Sequence, residues 1–169
     1  MEYLIKKDRI QKLLADYMFT ATKLLKEEKV KQAVEVLKAG ANYGHPVATL
    51  LLADLYDKGE EKGEGLEASP ESAAKWYLKG CHLGVVDAMV VMVERLIEGK
   101  GVNQDIVQAG SWVLIASEYY SDSVKEWSKK WITSLESILD EHNFKNLKFR
   151  TQNLRILLPK TLIAINPNL

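Results

Sequence analysis

Three histidines, one cysteine and a glycine- and acid-rich loop are the groups in this chain whose types could do chemistry. A zinc site on a helix needs two histidines one turn apart, so that both rings reach the same ion. His45, His82 and His142 are far apart in sequence and form no such pair. Cys81 adjoins His82, but neighbouring side chains on a helix point in different directions. Cys81 reads either as a small core residue or as a nucleophile, and its place in a row of small residues favours the core. The loop Asp57-Lys-Gly-Glu-Glu-Lys-Gly-Glu-Gly-Leu-Glu67 looks at first like a calcium loop. It lacks acidic ligands at the alternating positions such a loop requires, and lysines interrupt it. Gly63-Glu-Gly65 follows no strand, so it cradles no phosphate. No serine sits in a strand–turn–helix elbow. The expectation is a non-enzymatic chain with no catalytic residue, no metal site and no cofactor.

The elements that would hold any site are helices. Leu13, Leu14, Tyr17, Ala21, Leu24 and Leu25 share one helical face, as do Ala33, Leu37, Gly40 and Tyr43 or Gly44. Gly44-His45-Pro46 ends one helix and starts the next, and Ser69-Pro70 supplies a cap followed by a proline at the first helical position. Val124, Trp127, Trp131, Leu135, Ile138 and Leu139 form a later apolar face, and residues 143–158 read as one more helix stopped at Pro159.

The chain also repeats itself. Ala33, Ala73 and Ala109 open similar stretches, and Gly44/Gly84, Ala48/Ala88 and Gly59/Gly99 are each 40 residues apart. A period in this range marks stacked helical pairs. Ala and Gly permit close helix crossings, while Trp76, Tyr77 and Trp112 read as core fillers or, alternatively, as an exposed aromatic platform. The strings Gly44-x3-Ala48-x7-Tyr56-x2-Gly59, Ala73-x2-Trp76-Tyr77-x-Lys79-Gly80-Cys81-x2-Gly84 and Gly99-Lys-Gly101-Val-x2-Asp105-x3-Ala109-x2-Trp112 resemble the Sel1-like repeat of the tetratricopeptide superfamily. Val93 and Tyr120 depart from that pattern, each standing in place of a glycine. The resemblance implies an all-α, right-handed α-solenoid of antiparallel helix pairs. One domain is expected over 1–169: an N-terminal helical region at 1–29, repeats at 30–120, divergent capping helices at 121–158 and a tail at 159–169.

By analogy with the tetratricopeptide groove, the first helix of each unit would line a concave face. Leu50, Asp54 and Asp57 in one unit and Asp87, Val90, Glu94 and Ile97 in the next are the candidate partner-binding residues. Carboxylates edging an apolar strip would suit a basic, partly apolar peptide or a partner helix. The resemblance further implies a protein-interaction scaffold or adaptor. In bacteria, small proteins of this kind resemble toxin-neutralising immunity proteins or regulatory adaptors.

Composition narrows the partners. Lys plus Arg equals Asp plus Glu at 23 each, so net charge is zero, against a dedicated nucleic-acid binder. Charge is uneven, however. Residues 54–71 carry a net of five negative charges, whereas residues 142–169 carry Lys145, Lys148, Arg150, Arg155 and Lys160 with no acid. Nucleic-acid binding through that basic segment, with Phe144 and Phe149 stacking on bases, is the alternative function. No stretch is apolar enough to span a membrane or serve as a leader, and one cysteine allows no internal disulfide, so a cytoplasmic location is expected. The apolar tail 161–169 reads as packed on the domain or as a docking segment that joins two copies.

Overall fold

The computed structural model describes residues 2–59, 65–119, 121–163 and 165, with side chains from Lys12 onward. The acidic-loop residues 60–64, Tyr120, Ala164 and residues 166–169 lie outside the described residues. Among the described residues there are eight helices: α1 (Glu2–Lys26), α2 (Val30–Asn42), α3 (Pro46–Lys58), α4 (Pro70–His82), α5 (Val86–Glu98), α6 (Ile106–Ala116), α7 (Asp122–Ile138) and α8 (Glu141–Leu157). The fold is all-α, as the periodicity requires. Its packing separates into two compact units, residues 1–76 and 77–169, with the division inside α4.

Helix starts follow local side-chain chemistry. Ser69 Oγ accepts from the N–H of Ser72 at 3.2 Å, and Pro70 opens α4. Asp105 Oδ1 accepts from Gln108 N–H at 2.8 Å to cap α6, and Asp140 Oδ1 caps α8 through Asn143 N–H at 2.7 Å. His45 caps α3: its Nδ1 accepts from Ala48 N–H at 3.2 Å. None of the His45, Asp105 and Asp140 caps is among the sequence expectations.

In the first unit, α1, α2 and α3 bury Ala21, Val30, Val34, Leu37, Ala41, Ala48 and Leu52, with half-buried Trp76 and Tyr56 against them. Gly40 is the close crossing: a Cβ there would stand 3.2 Å from Ala48 Cβ and 3.6 Å from Tyr17 Cβ. Of Tyr43 and Gly44, the two alternatives for the last place on that face, Gly44 is half-buried, whereas Tyr43 is 62% exposed and stacks on Tyr17 with ring centroids 6.1 Å apart. The helix ends there, so Tyr43 no longer follows the helical face.

In the second unit, α6 is the hub, packing against α5, α7 and α8. Its residues are apolar nearly all round, which suits a helix covered on every side. Trp112, Val113, Ile115 and Ala116 are wholly buried, and Tyr77 is 3% exposed, so these two aromatics are core fillers. A Cβ on Gly110 would overlap Leu147 Cδ1 and come within 3.1 Å of Leu135 Cδ1. On α7, Val124 and Leu135 are buried and the two tryptophans half-buried, but Ile138, expected on that face, lies at the helix end and is 65% exposed.

Two glycines that the repeat sets in register do different work. Gly99 has φ 74° and ψ 25°, a left-handed helix stop. Gly59 has φ 68° and ψ −178°, a region essentially reserved for glycine. A Cβ on Gly59 would also lie 2.9 Å from both Ala68 N and Leu66 O, whereas one on Gly99 meets nothing nearer than 3.6 Å. Gly99→Ala should therefore cost about 1 kcal/mol. Gly59→Ala should cost about 3 kcal/mol or more. Urea denaturation of the two variants against the parent checks the order; equal losses would refute this account of the repeat boundary.

The His45 cap adds a pH dependence. Partial burial holds the His45 pKa below its usual value, so the unfolded chain takes up the proton first. The stabilisation is complete well above about pH 6.5, where the unfolded imidazole too has become neutral, and is lost as pH falls through that value toward the folded one. Thermal or urea midpoints should fall between pH 7.5 and 5.5. A His45→Asn variant, which caps without titrating, should flatten that slope by up to about 1 kcal/mol.

Candidate functional site

The residues that sequence reasoning nominated fall on two helices, one in each unit. On α3, Leu50, Asp54 and Asp57 are all half-buried and share one helical face. On α5, Val90 and Ile97 are half-buried and Glu94 is exposed, again at spacings of four and three that keep them on one face. Asp87 occupies the same row but has a different fate. It is 5% exposed, and its Oδ2 accepts from the backbone N–H of Ile165 at 2.7 Å. That carboxylate is engaged by the chain's own C-terminal segment instead of facing outward.

The basic C-terminal region is likewise partly committed internally. Arg150 NH1 donates to both oxygens of Asp105, at 3.2 and 2.9 Å, beside the cap that Asp105 gives to α6. Arg155 Nε donates to Glu118 Oε2 at 2.6 Å, while its NH1 and NH2 hold the carbonyls of Pro159 and Lys160 at 2.8 and 3.1 Å. The Lys148 ammonium lies 4.8 Å over the Phe144 ring, which is half-buried. Of the two phenylalanines weighed as stacking groups, only Phe149 is largely exposed, at 63%.

Phe149 belongs instead to an apolar stripe. Ile156 and Leu157 of α8 are 80% and 75% exposed and share its face, at spacings of seven and eight residues. Leu157 also edges an open cleft of about 270 Å³ lined by Gln108, Ser111, Arg150, Asn153 and Leu154. A second open cleft of about 850 Å³ lies among Glu118, Tyr119, Ser121, Arg155, Lys160, Thr161 and Leu162. The sequence reading of residues 143–158 as one helix assigns it no apolar face, so it does not single out this stripe. The signal was present: its apolar residues fall on opposite faces, with Leu147 buried and Ile156 outside.

Chemically reactive groups are not gathered anywhere in the described residues. No three His, Cys, Asp or Glu side chains stand together as metal ligands. Burial pushes the Cys81 thiol well above its usual range, so the sulfur is held as an unreactive thiol. No described helix is long and apolar enough to cross a membrane.

Solved structures decide the fold. No protein-family profile matches the chain, and no curated protein does. Structures do match. A protective antigen of uropathogenic Escherichia coli, c5321, displays an SLR fold and superposes with a TM-score of 0.66 at 23% identity over 85% of this chain. The chain has the Sel1-like repeat fold. It spans 30% of the length of that Escherichia coli protein. A Sel1 repeat protein from Oxalobacter formigenes matches at TM-score 0.59 and 20% identity, over 78% of this chain and all of its own. Cysteine rich protein B of Helicobacter pylori matches at 0.54 and 21%, over 71% of this chain and 92% of its own. Within this Sel1-like fold, the doubly used Asp105 should matter more than its arginine partner. Asp105→Ala removes both a cap and an ion pair and should cost about 1–2 kcal/mol. Arg150→Ala removes only a part-exposed pair and should cost less than about 1 kcal/mol. Denaturation of the single and double variants tests this; an Arg150 loss equal to that of Asp105 would contradict it.

Proposed function

We propose that this chain is a non-enzymatic protein-interaction scaffold or adaptor. The observation that carries the reading is the α8 stripe: three large apolar side chains, Phe149, Ile156 and Leu157, held out on one helical face. Apolar groups grouped in this way on a folded surface mark contact sites for other proteins. A partner helix laid along α8 would bury them and place an apolar side chain in the small cleft beside Leu157. The rows Leu50, Asp54 and Asp57 on α3 and Val90, Glu94 and Ile97 on α5 supply further contacts, each suited to a basic and partly apolar segment. The Sel1-like fold supports the reading, because stacked helical pairs offer extended faces for partners.

Two narrower roles follow from the same reading. An immunity protein would neutralise a toxin; a regulatory adaptor would join two other proteins. Cytoplasmic residence is proposed with them and is supported by the single buried thiol. Growth rescue on co-expression with the product of a neighbouring gene would select immunity.

The scaffold reading is tested by affinity purification from the native cell with the parent chain, a Phe149→Ser/Ile156→Ser variant and a Glu94→Lys variant. Both variants should keep the parent's helical spectrum and its stability within about 0.5 kcal/mol, since the changed residues are on the surface. The stripe variant should retain the specific partner at least tenfold less well, and Glu94→Lys should weaken any partner that engages the α5 row. Full retention by the double variant would remove the stripe from the function.

A further inference from the structure

The start of α5 is built differently from the starts of α3 and α6. Helices leave their first N–H groups without intrahelical partners. At α3 and α6 a side chain supplies the missing acceptor, from His45 and Asp105 respectively. The 40-residue register aligns His45 with Val85, and Val85 offers no side-chain cap. The place is also dry: Val85 and Val86 are wholly buried and Asp87 nearly so. An extended segment fills the gap. Ile163 O accepts from Val86 N–H at 2.8 Å, and Ile163 N–H donates to Gly84 O at 3.0 Å, giving a parallel bridge between Val85 and Ile163. Ile165 N–H then donates to the buried carboxylate of Asp87. Leu162 is 8% exposed and anchors the segment, while Ile163 is 36% exposed.

From this arrangement we propose that the turn Gly84–Asp87 is a receptor for an extended peptide strand, occupied in the resting chain by the chain's own Leu162, Ile163 and Ile165. The recognition is mostly backbone to backbone, the mode by which strands add to an exposed edge. The backbone groups the turn offers would pair in the same way with a strand supplied by a partner protein. The fitting partner segment is extended and carries a large apolar residue at the Leu162 position. It has no proline at the positions of Ile163 and Ile165, since both must donate an N–H. The attached segment competes at high effective concentration, so a partner strand enters only when the attached one is released. This site is separate from the α8 stripe and stands whether or not that stripe binds anything.

The full chain carrying Ile163→Pro tests the proposal, because proline removes one donor and cannot hold the bridge. A second full-length variant, Leu162→Ser, removes the anchor instead. The probe is a synthetic peptide of residues 160–169, with a control peptide carrying proline at the Ile163 position. In both variants the Val86 amide should exchange with solvent at least tenfold faster than in the parent. Added peptide should restore its protection and bind the variants at least tenfold more tightly than the parent, and the control peptide should do neither. Unchanged exchange at Val86 in both variants, or peptide that fails to slow it, overturns the proposal.

Discussion

At Gly110 two leucines from different helices, Leu135 of α7 and Leu147 of α8, reach the backbone of α6. The approach is possible only because no side chain stands in the way. Any Cβ would force one leucine out of a packed interior, where a displaced methyl has nowhere to go. This contact decides where α7 and α8 lie on α6, and therefore which face of α8 is left outside. The exposed stripe is thus a consequence of a close crossing on the opposite side of the same helix. Packing and surface chemistry are set together by one missing methyl group.

Much of this was legible in the sequence, for a physical reason. The small-residue period and the three-and-four spacings report directly on helix crossings and buried faces, so the helices, the pairing and the burial of Tyr77 and Trp112 follow from them. The period also located the glycine stops at residues 59 and 99. It could not tell that they differ, because a left-handed stop and a glycine-only extended turn look the same as letters. End effects were equally hidden. Tyr43 and Ile138 keep the right spacing but fall where their helices finish, and spacing alone does not say where a helix stops.

The candidate surfaces were harder to read, because they depend on what the chain does with its own groups. Five cations and no acid in residues 142–169 suggest an exposed basic patch. In the folded chain Arg150 and Arg155 turn toward Asp105 and Glu118, which lie far away in sequence. Asp87 shows the same effect in reverse. Its row on α5 predicts an outward carboxylate, yet an amide from residue 165 meets it. Such long-range pairings leave no local trace. The substitution of Val85 at the position of His45 is the one hint that the second unit completes a helix start by other means.

Cys81 gives this chain a reporter that needs no engineering. Its sulfur is fully covered and its ionisation suppressed, so a thiol reagent finds it only when α4 and its neighbours come apart. Labelling kinetics would then follow opening around this one site, since no other cysteine is present to blur the signal. The same burial means that mild oxidants leave this thiol of the native chain untouched. Oxidative damage at this position would be a record that unfolding had already taken place.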